Sequence, residues 1–197
     1  MKRLIFATKN KGKARELSAM LKGLELKIET MQEAGIEIDI DETGASFEEN
    51  ALIKAQAVAV ASGEAAIADD SGLEVDYIDG APGIYSARYM GEETPYEVKN
   101  KKIIELLKEA RGEERRARFI CAVALALPDG TSFVERGVFE GYIGFEPKGE
   151  NGFGYDPIFF VPEYGMTSGE MEPGLKNRVS HRAKGVSLIA GRIKDIL

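Results

Sequence analysis

The chain has no tryptophan and only one cysteine and one histidine. Without tryptophan, any stacking on a planar ligand falls to phenylalanine, tyrosine or arginine. The single cysteine, Cys121, lies inside an apolar run, so a disulfide framework and a cysteine metal site are both excluded. No apolar run approaches the roughly 20 residues that span a bilayer, and nothing at the N-terminus resembles a signal peptide. A cytoplasmic protein with no membrane partner is expected. Basic residues are outnumbered, 26 Lys and Arg against 33 Asp and Glu, and they are scattered, leaving a net charge of −7. The lack of a basic face argues against a nucleic acid polymer as partner, but not against a small phosphorylated ligand met by a few local lysines. Internal repeats, low-complexity segments, interdomain linkers and the Gly-x4-Gly-Lys-Ser/Thr phosphate loop are absent as well.

What is present centres on Ala65 to Gly91. A short apolar run, Ala65 to Ala68, meets Asp69-Asp70-Ser71-Gly72, and Gly80-Ala81-Pro82-Gly83 then precedes Ile84 to Arg88. A buried strand that delivers carboxylates at its C-terminal end suits ligand chemistry in an α/β sheet. A solvated turn is the competing reading, because Asp, Ser and Gly are also turn residues. Neighbouring residues in extended chain point to opposite sides, so Asp69 and Asp70 are expected to do different jobs. Ile84 to Tyr89 reads as a helical turn.

Around this centre the pattern alternates. Lys2 to Ala7 reads as a buried strand that stops at Thr8-Lys9-Asn10-Lys11-Gly12-Lys13 and enters a helix with Leu17, Met20, Leu21 and Leu24 on one face. Asn10 is the expected N-cap. Three lysines around a helix start oppose the macrodipole, which suits a bound anion such as phosphate or else marks a solvated basic turn. Leu24 to Glu29 reads as a second strand and Gly35 to Gly44 as an acidic loop carrying Glu42. Ser46 and Glu49 form a capping box for a helix with Phe47, Ala51, Ala55, Val58 and Ala59 inward. Lys54 on that helix either snorkels outward or reaches into a site, with exposure as the default.

Thr94, Pro95 and Glu97 mark a further helix start, and Tyr96, Ile103, Ile104 and Leu107 form a buried face that reads as scaffold. Ala117 to Leu127 is a strand buried on both faces, and Thr131 to Ile143 returns as its hairpin partner. A second dense stretch, Gly152-Phe153-Gly154-Tyr155-Asp156-Pro157, flanks an aromatic ring with glycines; the ring either stacks on a planar ligand or tucks into the core. Thr167 and Glu170 form a possible capping box. A closing helix is expected from about Ala183, with Ser180 as cap and His181 and Arg182 in its first turn. Adjacent Ser180 and His181 cannot readily form a triad, and no nucleophile elbow occurs, so a serine hydrolase is excluded. Interleaved strands and helices followed by a long hairpin predict a mixed α/β fold in a single domain, 1–197.

Four stretches carry a resemblance: Thr8-x-Asn10-x-x-Lys13; Ser46-Phe47-x-Glu49-Asn50-Ala51-x-x-Lys54-Ala55; Ala68-Asp69-Asp70-Ser71-Gly72-Leu73 with Gly80 to Arg88; and Phe153-Gly154-Tyr155-Asp156-Pro157-Ile158-Phe159 with Ser180-His181-Arg182. In this order, over almost the whole chain, they resemble the inosine triphosphate pyrophosphatase family. The resemblance implies an elongated mixed α/β sheet with flanking helices, two lobes around a central cleft, and a homodimer. It implies Mg2+-dependent hydrolysis of inosine, deoxyinosine and xanthosine triphosphates to the monophosphate and pyrophosphate, which clears them from the nucleotide pool. Thr8, Lys9, Asn10, Lys11, Gly12, Lys13 and Lys54 would hold the phosphates. Asp70 would be general base or metal ligand, with Glu42 and Asp69 helping to hold the metal, and Ser71 would touch the substrate. Phe153 would stack on the purine, Gly154, Tyr155 and Asp156 would complete the pocket, and Lys176, His181 and Arg182 would read the base edge. Pro173-Gly174 stands where the family pattern is commonly acidic, which leaves the local helix and any carboxylate support for Lys176 open. The competing readings are a pyrophosphatase for modified or pyrimidine nucleotides, a catalytically silent nucleotide-binding regulator, and a nucleic-acid-binding module.

Overall fold

The computed structural model describes residues 2–196. Its elements run β1 (Lys2–Phe6), α1 (Lys11–Leu21), β2 (Leu26–Thr30), α2 (Phe47–Ser62), β3 (Ala65–Val75), α3 (Tyr96–Leu106), β4 (Arg116–Ala126), β5 (Ser132–Ile143), β6 (Phe159–Val161), β7 (Met166–Thr167), α4 (Pro173–Val179) and α5 (His181–Ile196). The seven strands form one sheet in the order β2-β1-β3-β4-β5-β6-β7. β1 pairs in parallel with both β2 and β3, while β5, β6 and β7 pair antiparallel. This is the mixed α/β class expected from the interleaving of elements. Among the described residues no helix is long and apolar enough to cross a membrane.

The chain divides into two compact units. The first comprises the residues up to Asp70, Cys121–Gly137 and those from His181 onward. Its core joins Leu4, Phe6, Leu17, Ile67, Val123 and Ile189, all essentially solvent-free. The second comprises Ser71–Ile120 and Val138–Ser180. Its core is built on Leu73, Ile103, Leu107, Phe119 and Phe159, with the Phe119 and Phe159 rings 4.4 Å apart. There too Arg115 is buried with no carboxylate on it; its guanidinium donates to the carbonyls of Leu107, Ile143 and Gly144 at 2.6 to 2.7 Å, closing the ends of α3 and β5.

Local signals explain most boundaries. Asn10 caps α1, its side-chain oxygen accepting from the N–H groups of Gly12 and Lys13 at 2.8 and 3.1 Å. Ser46 caps α2 through the Glu49 N–H at 3.1 Å, but the Glu49 carboxylate reaches one residue further back than a capping box requires, to the Ala45 N–H at 2.6 Å. Gly63 ends α2 with φ +67°, the left-handed region that glycine enters without cost.

Four boundaries differ from expectation. Thr94 does not cap α3: its hydroxyl donates to the Met90 carbonyl at 2.7 Å, and the helix starts after Pro95. The inward face of α3 holds Lys99, Asn100 and Ile103, with Tyr96 partly exposed. The Thr167–Glu170 pair opens no helix, since Thr167 belongs to β7 and its N–H donates to the Glu170 carboxylate at 2.8 Å. Of the helical turn expected over Ile84 to Tyr89, only Gly83–Tyr85 is helical, and non-helical turns follow as far as Met90. Turn and cap residues satisfy local hydrogen bonds in more than one conformation, and the tertiary partners decide between them.

Where α5 crosses β5 in the first unit, glycine is a steric requirement. A Cβ on Gly137 would fall on the His181 carbonyl oxygen and lie 2.5 Å from the Gly185 nitrogen, both main-chain atoms that cannot swing away. Gly191, further along α5, has nothing within 4 Å of such a Cβ. Gly137→Ala is therefore expected to cost about 3 kcal/mol or more. Gly191→Ala should instead add about 0.5–1 kcal/mol through helix propensity. Urea unfolding of the two variants measures both effects.

Candidate active site

β3 does not stop at the paired carboxylates; it runs through them as one strand of 11 residues. The expected strand end belongs to its neighbour. β1 finishes at Phe6, opposite Ile67, so Asp69 and Asp70 lie beyond the C-terminal end of the parallel strand beside them. The crevice position predicted for the carboxylates is thus created by a short neighbour and not by a turn.

Alternation along β3 separates the two side chains. Asp69 is 2% exposed and receives the Lys13 ammonium at 3.1 Å and the Arg182 guanidinium through Nε at 3.3 Å and Nη2 at 3.1 Å. Arg182 also pairs with Glu16 on α1. The Cys121 thiol lies 3.8 Å from the same Asp69 oxygen, and burial pushes that thiol up, so it stays protonated. Burial pushes the Asp69 carboxyl up as well, but Lys13 and Arg182 outweigh it and hold the group well below the ordinary carboxylate range.

Asp70, one residue on, meets a different set. Its oxygens accept from Lys54 Nζ and from Asn50 Nδ2, both at 3.3 Å. Lys54 Nζ is also 3.2 Å from Glu42 Oε1, so one ammonium bridges two carboxylates. Burial pushes the Asp70 carboxyl above its ordinary value, Lys54 and Lys13 oppose that push, and Glu42 and Asp69 add to it. Two adjacent carboxylates are therefore driven in opposite directions, the pattern that separates a permanently charged strut from a group able to take a proton. Lys54 itself is only 9% exposed, which corrects the expectation that it points to solvent. Burial pushes the pKa of its ammonium down, and Asp70 with Glu42 more than compensates. Placing Lys54 outward would leave Asp70 without a cation in a site that is largely dry.

The lysine loop divides in the same manner. Lys13 turns inward to Asp69. Lys9 is exposed and pairs with Asp39 at 3.0 Å, a surface contact of little energetic weight. Thr8, Lys9, Asn10 and Lys11 line a cavity of about 600 Å3 together with residues of the 30–39 segment, and neither Lys54 nor Asp70 borders it. Asn10 already occupies the Gly12 and Lys13 N–H groups, so an anion at this helix start would rely mainly on the lysine side chains.

In the second unit Asp156 organises the glycine-rich loop. It accepts from Lys176 Nζ at 2.6 Å, from the Phe153 N–H at 2.8 Å and from the Ser168 hydroxyl at 2.8 Å. A Cβ on Gly152 would strike its carboxylate and lie 2.9 Å from Lys176 Nζ, which accounts for that glycine. Phe153 is 36% exposed, outside the core, and Lys176 Nζ stands 5.2 Å from its ring centroid. Tyr155 is buried and its hydroxyl donates to the Ser86 carbonyl at 2.8 Å. Pro173 and Gly174 do not prevent a helix: Pro173 opens α4, Lys176 follows on it, and the supporting carboxylate comes from Asp156, twenty residues earlier.

The three residues expected to read a base edge have different surroundings. Lys176 faces Asp156 and the Phe153 ring, His181 is buried at the start of α5, and Arg182 directs its guanidinium to Asp69 and Glu16. Sequence reasoning assigned no role to Glu16 or Asn50. Helical spacing was the available signal: Glu16 is three residues from Lys13, and Asn50 four from Lys54, on the same helix faces. Asn50 also accepts from the Gly44 N–H at 2.8 Å, tying down the loop that carries Glu42.

A sequence model of the Ham1 family matches residues 4–191. A protein named dITP/XTP pyrophosphatase from Bacillus licheniformis is 46% identical over 96% of this chain and 97% of its own length. One of the same name from an Exiguobacterium species is 47% identical over 97% and 96%. The structure of a HAM1 protein from Coxiella burnetii superposes with a TM-score of 0.90 at 38% identity, covering 99% of this chain and all (100%) of the other.

The contrast between the two carboxylates is measurable as stability. Asp69→Ala takes the carboxylate away from the buried Arg182, which keeps only Glu16, and from the partly buried Lys13, and is expected to cost about 3 kcal/mol. Asp70→Asn leaves Lys54 its second partner, Glu42, and should cost about 1 kcal/mol or less. Chemical denaturation of both variants without nucleotide tests the order.

Proposed function

This chain belongs to the Ham1 family, and from that premise we propose that it hydrolyses inosine, deoxyinosine and xanthosine triphosphates to the monophosphate and pyrophosphate. The observation that carries this reading is the pair on β3: Asp69 clamped by Lys13 and Arg182, and Asp70 raised in pKa beside an ammonium shared with Glu42. A phosphoryl-transfer site needs cations for the phosphates and one carboxylate able to accept a proton, and this strand has both.

A metal fits the donor set. Glu42 Oε1 and Asp70 Oδ1 converge on one cationic point, now held by Lys54 Nζ at 3.2 and 3.3 Å. Among the described residues no group of three or more His, Cys, Asp and Glu is built to cage an ion. Mg2+ suits that sparseness, because it commonly takes one or two protein carboxylates and completes its shell with phosphate oxygens and water. When bound, such an ion polarises a phosphoryl oxygen and lowers the pKa of water.

The chain's own groups then take the following roles. Asp70 orients the attacking water and accepts its proton, while Asn50 holds the carboxylate in place. Thr8 to Lys13 and Lys54 meet the phosphates, and Ser71, next to the base, touches the substrate. Phe153 stacks on the purine within the loop formed by Gly154, Tyr155 and Asp156. Lys176, His181 and Arg182 donate to the base edge; for Arg182 this means giving up part of its hold on Glu16 or Asp69. Donors match the 6-keto oxygen of hypoxanthine and xanthine but oppose the amino group of adenine, and mismatches of this kind are rejected by about 10⁴-fold or more. We extend the reading to a cytoplasmic homodimer, which the family resemblance implies.

Pyrophosphate release with Mg2+ from inosine, xanthosine, guanosine and adenosine triphosphates tests the proposal. Rapid release is expected from the first two and little from the others. Asp70→Asn should lower the rate about 10³-fold, and chelation of the metal should abolish it. Equal turnover of all four would remove the base-reading roles, and tight binding without release would turn the protein into a nucleotide-binding regulator.

A further inference from the structure

α3 presents two adjacent polar residues to the interior of the second unit. Lys99 and Asn100 are 1% and 4% exposed, on a helix whose sequence reads as scaffold. Their ends reach two different loops. Lys99 Nζ donates to the Ala87 carbonyl at 2.5 Å, and Asn100 Nδ2 donates to the Gly154 carbonyl at 3.1 Å. Those loops are also joined to each other, because the Tyr155 hydroxyl donates to the Ser86 carbonyl at 2.8 Å. Tyr96, one turn before Asn100, packs edge-on against Tyr155 at 5.2 Å and lies 3.6 Å from where a Gly154 Cβ would stand.

The geometry around Asn100 is costly. Its Oδ1 is buried and receives no hydrogen bond. An unsatisfied buried acceptor is destabilising, and leucine, of nearly the same size, would fill the space without that penalty. What asparagine supplies and leucine does not is the N–H directed at Gly154. Gly154 takes a φ of +70° between Tyr155, which is buried, and Phe153, which is exposed with Lys176 over its ring. The carbonyl held by Asn100 therefore lies in the Gly154–Tyr155 peptide, one residue beyond Phe153.

We propose that Asn100 is a positioning residue: through the Gly154 carbonyl it holds the Phe153 ring ready to stack, and so sets affinity for the base without setting the rate of the chemistry. This rests on the reading of Phe153 as the purine-stacking residue. Asn100 touches neither the reacting phosphates nor Asp70 in that role, so its loss should appear in KM and not in kcat.

The absence of tryptophan supplies a clean reporter, since Phe153→Trp makes position 153 the sole indole of the chain. Two measurements are paired. In the otherwise natural chain, Asn100→Leu and Asn100→Ala, neither able to donate, should raise KM for inosine triphosphate about tenfold, part of the stacking energy of a base on an aromatic ring. Their kcat should stay within about threefold. In the Phe153→Trp background, adding Asn100→Leu should lower the tryptophan anisotropy while the far-ultraviolet circular dichroism is unchanged. Asn100→Ala replaces it there should the leucine variant fail to fold. KM or anisotropy remaining at the parent value, or a tenfold fall in kcat at constant KM, overturns the inference. If the natural chain does not hydrolyse inosine triphosphate at all, the proposed function fails instead, and the anisotropy alone decides whether Asn100 restrains the loop.

Discussion

A carboxylate with no solvent around it must be met by positive charge, and the first unit is arranged to satisfy that demand at Asp69. Lys13 comes from α1, Arg182 from the first turn of α5, and both reach a side chain in the middle of β3. Glu16 on α1 then balances the second edge of the Arg182 guanidinium. Two helices and a strand are thereby held in one register by charges that cannot relax into water. Buried ion pairs contribute little net stability compared with apolar packing, but breaking one is expensive, so the arrangement acts as a constraint on geometry more than as a source of energy. The cost of placing lysine and arginine at two helix starts, against the macrodipole, is offset by the same carboxylate.

That constraint frees the next residue. With Asp69 clamped by Lys13 and Arg182, burial, Glu42 and Asp69 itself push the Asp70 carboxyl up against Lys54 and Lys13, and it stays above the usual range. The helix that brings Lys54 also brings Asn50 one turn earlier, and Asn50 holds both Asp70 and the Gly44 N–H of the acidic loop. The second unit repeats the principle with other residues. Asp156 collects Lys176, Ser168 and the Phe153 N–H, which fixes a glycine-rich loop whose backbone has little intrinsic preference of its own.

Much of this was legible in the chain. Period and capping located the helices: Asn10, Ser46 and the apolar spacing of α1 and α2 behave as local rules require, and the double-faced apolar run of β4 announced a central strand. The ordered motifs pointed to the family to which the chain belongs. Other features misled for definite reasons. Asp-Ser-Gly has turn propensity, yet β3 continues through it, because a central strand is held by its neighbours more strongly than by the preferences of three residues. Pro173-Gly174 suggested a broken helix, but proline is compatible with a first helical position.

The sequence by itself determined most of the strands and helices and that the two aspartates face opposite ways, which follow from backbone periodicity acting over a few residues; its ordered motifs, through the family they resemble, named the candidates for phosphate, metal and base. Only the tertiary structure decided that Lys54 is buried between Glu42 and Asp70, that Arg182 braces Asp69, that Asp156 supports Lys176, and that Asn100 reaches Gly154. These pairings join residues from 12 to 113 positions apart. No local preference selects one partner over another at such separations; the choice falls to whichever buried charge or N–H would otherwise go unmet once the sheet and helices have packed.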